Sequence, residues 1–186
     1  MNTGNATLAI YGIRDTEDRD YPVLIHDHNL TLFRNGKLEK HLQLERVTRR
    51  KYDYRFPQYL YNLLTREKLL KERNLDLVFV DHMIGRSFQN NEGNIRFEAP
   101  MNNSLSTSPE KGRAYFMGEE LDGYAVNHEL AHVYSNLPFW GSFKENSLHV
   151  HFDGGASKSN FSAWVFRNGR MQLHTYHWDL KNLSAL

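Results

Sequence analysis

His128-Glu129-Leu130-Ala131-His132, with Asp153-Gly154-Gly155 about twenty residues on, is the pattern in this chain best suited to chemistry. Two imidazoles four residues apart lie on one face of a helix, within reach of a single metal ion. The carboxylate of Asp153 is the candidate third ligand. Two chemistries use such a set. In a zinc peptidase the glutamate of H-E-x-x-H, here Glu129, polarises a metal-bound water. Alternatively Asp153 binds a cation while Gly154 and Gly155 let backbone N–H groups approach a phosphate. A glycine pair that leads into a hairpin rather than a helix is not a Walker or Rossmann loop. Imidazole and carboxylate ligands suit zinc, iron and nickel alike.

Other residues qualify more weakly. His26 stands beside Asp27, and a histidine next to a carboxylate is able to take a proton from a hydroxyl near neutral pH. His28 is a bystander in this reading. Arg46, Arg49, Arg50, Lys51 and Arg55 fall within ten residues, as a solvated loop or as an anion clamp. His149 and His151 interrupt a strand that is expected to be central and apolar on both faces, and they receive no role.

The elements that must position these groups follow from periodicity. Ala6 to Ile13 reads as a strand, and Arg14 to Asp20 as a charged loop. Leu30 to Phe33 and Leu38 to Leu44 flank Asn35-Gly36, a strong two-residue hairpin signal. From Pro57, the residues Leu60, Leu63, Leu64 and Leu70 keep helical spacing, and Leu75 to Val80 is a short apolar strand. The stretch from Gly85 to Gly112, rich in Asn, Ser, Gly and Pro, predicts a long loop. Tyr124 to Leu137 predicts a helix with Val126, Leu130, Val133 and Leu137 on one face, and the two histidines roughly opposite. Ser147 to Asp153 alternates, with Leu148, Val150 and Phe152 on one side. A second hairpin then turns at Asn168-Gly169. Its turn, Phe166 to Met171, repeats that of Phe33 to Leu38 at an interval of 133 residues, as one supersecondary unit used twice.

Composition bounds the function class. At 186 residues and a net charge of +1, the chain is long enough for a core and offers no bulk attraction to nucleic acid or anionic membrane. Absence of cysteine excludes disulfides and thiolate ligands and suits a reducing compartment. The N-terminus lacks a signal-peptide pattern and no apolar run would span a bilayer, so a cytoplasmic protein is expected.

Several motifs together resemble one family. His26-Asp27, Leu32-Phe33-Arg34-Asn35-Gly36, Leu44-Glu45-Arg46-Val47-Thr48-Arg49-Arg50-Lys51 and Arg55-Phe56-Pro57 are similar, in this order, to the N-terminal region of the nodulation-type O-carbamoyltransferases. The H-x-L-A-H helix from His128 to His132 and the strand ending in Asp153-Gly154 continue the likeness over most of the chain. The resemblance implies an α/β fold: an actin-like ATPase (ribonuclease H-like) lobe with a mixed sheet over 1–145, and the opening hairpin of a second lobe over 146–186. It implies transfer of a carbamoyl group from carbamoyl phosphate, with ATP, through carbamoyl-adenylate to a substrate hydroxyl. By residue match, His26 is the implied general base and Lys51 a contact to the carbamoyl-adenylate. His128, His132 and Asp153 are the implied ligands of a divalent metal, iron or zinc, and Gly154 and Gly155 part of the nucleotide phosphate loop. The implied partners are a small hydroxyl acceptor and the remaining half of the second lobe, as a separate chain or a second copy. A small zinc peptidase accounts only for His128 to His132, and a non-catalytic remnant or subunit keeps the fold without the reaction.

Overall fold

The computed structural model describes residues 6–12, 26–69, 74–81, 86–100 and 104–178; the loop expected over Arg14 to Asp20, and the positions of Ile13 and Leu70, lie outside these. Strict alternation builds the first strands. In β1 (Ala6–Tyr11) every second residue, Ala6, Leu8 and Ile10, is buried. β2 (Asn29–Arg34) and β3 (Lys37–Gln43) form the expected hairpin, with Asn35 and Gly36 at φ 51° and 72°, the pair of positive angles a type I′ turn requires. A short helix, α1 (Leu44–Thr48), leads to α2 (Phe56–Arg66), which buries Phe56, Leu60, Leu63 and Leu64 against the sheet. β4 (Leu75–Val80) returns parallel to β1.

Beyond β4 the structure departs from the sequence reading. The stretch expected as a loop from Gly85 to Gly112 carries β5 (Ser87–Gln89), β6 (Ile95–Glu98) and the start of β7 (Glu110–Phe116). β8 (Glu119–Val126) takes Tyr124, Ala125 and Val126, which were expected to be helical. Its residues Gly123 to Val126 pair in parallel with Leu77 to Val80, and this ladder overrides helical spacing. One eight-stranded mixed sheet results, in the order β3-β2-β1-β4-β8-β7-β6-β5. Gly112 and Gly123 are cross-strand partners, and a Cβ on either would lie within 2.6–2.8 Å of the Phe97 ring, so the bare backbone makes room for that side chain.

The helix of the paired histidines, α3 (His128–Tyr134), is shorter than expected; Asn127 caps it by accepting the Leu130 N–H at 2.8 Å. After α4 (Leu137–Trp140) come β9 (Leu148–Phe152), β10 (Phe161–Arg167) and β11 (Arg170–His177), an antiparallel sheet in the order β11-β10-β9. Its hairpin turns at Asn168 and Gly169 with φ 54° and 73°, so the unit β1-β2-β3 recurs in arrangement as well as in turn sequence. A second core joins Leu130 and Val133 of α3 to Trp164, Met171 and Leu105. β9 is not the central strand, covered on both faces, that was expected. Leu148, Val150 and Phe152 are 63%, 56% and 58% exposed, whereas His151 is buried. Among the described residues, β9 is an edge strand with an open apolar face, not a central one. No helix among them is long and apolar enough to cross a membrane.

The basic loop before α2 is pinned by Asp53, whose buried carboxylate receives Arg55 Nε and Nη2 at 2.9 and 2.8 Å and the Arg55 backbone N–H at 3.2 Å. Burial pushes the carboxyl upward, but the hydrogen bonds from Arg55 outweigh it and hold the pKa down to about 2. A depressed folded-state pKa means stability that is complete above the unfolded value of about 3.9 and is lost as pH falls through about 2. Asp53→Asn is therefore expected to be less stable than wild type by about 2 kcal/mol at pH 7. That difference should shrink between pH 4 and 2 in urea unfolding; a gap that stays constant over this range would contradict the assignment.

Candidate metal centre

β1, β4 and β8 run parallel, and their carboxyl ends deliver Tyr11, Asp81 and Asn127 to one edge of the sheet, the edge where open α/β sheets hold ligands. The helix that begins there presents His128 and His132 one turn apart. Their rings stack at 4.7 Å and 16°, with the two Nε2 atoms 2.9 Å from each other. β9 ends beside them and places Asp153 Oδ2 at 3.3 Å from each Nε2. Donors bonded to one divalent ion at about 2.0–2.2 Å stand roughly 2.9–3.5 Å apart, so the triangle of side chains fits such an ion. The other oxygen of Asp153 accepts the Gly154 N–H at 2.6 Å, which leaves Oδ2 directed to the histidines. Hydrogen bonding with His128, then His132, holds this carboxyl far below the usual range against the opposing effect of burial. The sequence-derived trio thus converges, from the helix that follows β8 of the large sheet and the end of β9 in the small one.

Glu129 does something else. Its carboxylate is buried and accepts the Ser157 N–H at 3.1 Å, the Lys158 N–H at 2.7 Å and the Ser159 hydroxyl at 3.0 Å. It anchors the loop after Asp153 instead of facing the histidines' ligand atoms. Ser157 completes the clasp: its Oγ accepts the His128 N–H at 2.8 Å and donates to Asp81. Asp81 in turn receives Arg86 Nε at 3.0 Å, and burial raises its pKa despite Ser157 and Arg86. Sequence reasoning missed Asp81, Ser157 and this use of Glu129. An acid ending the apolar run Leu75 to Val80 was the available signal.

His26 and Lys51 also come together, against one aromatic ring. His26 packs edge-on to Tyr52 at 5.4 Å, and Lys51 Nζ sits 4.8 Å from the centre of the same ring. His26 Nδ1 is 2.6 Å from Asp27 Oδ2, and Gln43 holds the other oxygen of that carboxylate at 2.5 Å. Glu45 ties the two strands of this cluster by accepting the backbone N–H groups of Tyr52 at 3.0 Å and Asp27 at 3.4 Å. Tyr11 lies between the clusters, its ring 5.4 Å from His128 and 5.8 Å from His28. Burial, and then the nearby charges of Asp153 and Asp27, push its hydroxyl pKa upward, so it stays a neutral donor. His28 is buried and stacks on Phe56 at 5.9 Å.

Around Gly154 a Cβ would meet nothing within 4 Å, so the backbone there is open to an incoming group. His151, assigned no role from sequence, lies beneath the pair: its ring is 4.9 Å from that of His132 and 6.5 Å from that of His128. Burial, and then the neighbouring His132, lower its pKa to about 4. Comparison of the chain with protein-family models, with curated proteins and with solved structures finds no match.

Proposed function

We propose that this chain is the N-terminal part of an ATP- and metal-dependent carbamoyltransferase, built on an actin-like (ribonuclease H-like) lobe. The observation that carries the proposal is the meeting of His128, His132 and Asp153 at the carboxyl ends of parallel strands, with His26 and Lys51 grouped on the other side of Tyr11. Support for the lobe comes from the order β3-β2-β1-β4-β8, with β1 to β3 antiparallel and β4 and β8 parallel to β1, and from the recurrence of the three-strand unit in β9 to β11.

His128, His132 and Asp153 would hold the divalent ion, iron or zinc, which when bound supplies Lewis-acid contact to phosphate oxygens. The open backbone at Gly154, next to Gly155, leaves room for the ATP phosphates. In this proposal water releases inorganic phosphate from carbamoyl phosphate. The carbamate so formed displaces pyrophosphate from the α-phosphate of ATP to give carbamoyl-adenylate, and the carbamoyl group then passes to a substrate hydroxyl as AMP departs. His26, oriented by its contact with Asp27, takes the hydroxyl proton at Nε2 as the acceptor oxygen attacks the carbamoyl carbon. Lys51 places a positive charge beside the adenylate phosphate as AMP leaves the carbamoyl carbon.

A metallopeptidase is disfavoured by the burial of Glu129 and its three accepted hydrogen bonds, since the water-activating glutamate must face the metal. The edge of β9, unpaired among the described residues, and its exposed Leu148, Val150 and Phe152 favour action as one part of a larger assembly, with the rest of the second lobe supplied by further polypeptide. Calorimetric titration of the zinc-loaded chain with ATP, and separately with carbamoyl phosphate, tests the proposal. Binding of both ligands is expected, with Lys51→Ala weakening carbamoyl phosphate about tenfold. A zinc-loaded chain that takes up neither ligand would remove the carbamoyltransferase reading.

A further inference from the structure

His151 packs directly against the paired histidines, in a position the foregoing chemistry does not use. It is 3% exposed, and its Nε2 has no hydrogen-bond partner among the described residues. An orphan polar atom in so buried a place is a standing destabilisation unless a bound group satisfies it. Its neighbours accommodate a donor at Nε2. Trp164 Nε1 donates to Ser162 Oγ at 2.8 Å, and Ser162 Oγ lies 3.3 Å from His151 Nδ1. The serine hydroxyl, accepting from the indole, can give its own proton to Nδ1, and in that tautomer the ring proton sits on Nε2. His151 then offers an N–H donor.

Two observations say to what. The ring is packed against His132 and near His128, on the inward side of the strand that ends in Asp153. It does not belong to the cluster of mutually close ligand atoms formed by His128, His132 and Asp153. It is therefore adjacent to the metal position without being a ligand. We propose that His151 is a positioning residue of this centre, donating from Nε2 to an oxygen of the non-protein group, water or phosphate, that shares the cation with His128, His132 and Asp153. The inference rests on the metal-binding part of the proposed function.

The test uses Co(II) and inorganic phosphate on the full chain. Visible absorption of Co(II) reports the ligand set, and its change on adding phosphate reports anion binding. Wild type is expected to bind both. His151→Leu should keep the Co(II) spectrum of the phosphate-free protein but bind phosphate about tenfold to a hundredfold more weakly. His151→Gln, whose amide nitrogen reaches a similar place to Nε2, should recover most of that loss. If the leucine variant does not fold, His151→Asn replaces it, since its shorter amide falls short of the donor position. Equal phosphate binding in wild type and variants overturns the inference, as does loss of the Co(II) spectrum in His151→Leu, which would make His151 a ligand. Co(II) binding without any phosphate binding overturns it too. Failure of wild type to bind Co(II) at all is a separate result, and refutes the metal centre itself.

Discussion

Replacing His132 by alanine is expected to weaken Zn(II) or Co(II) binding at least about a hundredfold while leaving the metal-free fold intact. The expectation combines two features of the site. Loss of even an outer-shell hydrogen bond to a metal ligand lowers affinity about tenfold to a hundredfold, and loss of a ligand does more. The His132 side chain is 47% exposed, so its truncation opens no cavity in the core. His128→Ala should lose metal equally, but its side chain is only 12% exposed and packs on Tyr11, so some stability goes with it. Asp153→Asn keeps the shape of the third ligand and removes its charge, and should fall between wild type and the histidine variants. Competition titration against a chelating indicator gives the affinities, and thermal unfolding in EDTA gives the stability of the metal-free protein. A His132→Ala variant with wild-type zinc affinity would dissolve the centre as drawn, whatever the spacing of its atoms.

Much of what positions this centre was legible from residue order, and what was not has physical reasons. The two Asn-Gly hairpins were readable because a type I′ turn demands two positive φ values that few other pairs supply. The histidine pair was readable because a helix brings positions four apart within about 5–6 Å on one face, whereas a strand keeps them more than twice as far apart. β5 and β6 were not, because three and four residues are too few to show alternation against the polar stretch around them. The start of α3 was misplaced because Val126 lies four residues before Leu130 and fits a helical stripe, although a neighbouring parallel strand claims it. The edge position of β9 was hidden because a strand ending in Asp-Gly in an α/β order was read as central and covered on both faces. Here the polar side of the strand is the buried one, because it closes over the histidines.

Glu129 offers the sharpest separation between a metallopeptidase and the clasp that the structure contains. Glu129→Ala would strand the Ser157 and Lys158 N–H groups and the Ser159 hydroxyl inside the protein. Each unsatisfied donor costs about 1–3 kcal/mol, about 3–9 for three, and water recovers part of this at the half-buried Ser157 and Lys158, so a loss of roughly 3–6 kcal/mol is expected, a large part of the stability of an ordinary domain. Glu129→Gln is milder and more informative. Its carbonyl oxygen can still take Lys158 and Ser159 at the place of Oε1, but its NH₂ would then face the Ser157 N–H, donor against donor. About 1–3 kcal/mol should go, or roughly 2–10 °C in melting temperature for a chain of this size. Because Ser157 also receives the His128 N–H, zinc affinity should decline in step with the loosened loop, not independently of it. A catalytic glutamate behaves oppositely: its glutamine variant keeps the melting temperature and the metal while hydrolysis stops. Unchanged melting of Glu129→Gln, together with loss of a zinc-dependent peptide hydrolysis present in wild type, would transfer the chain from one chemistry to the other.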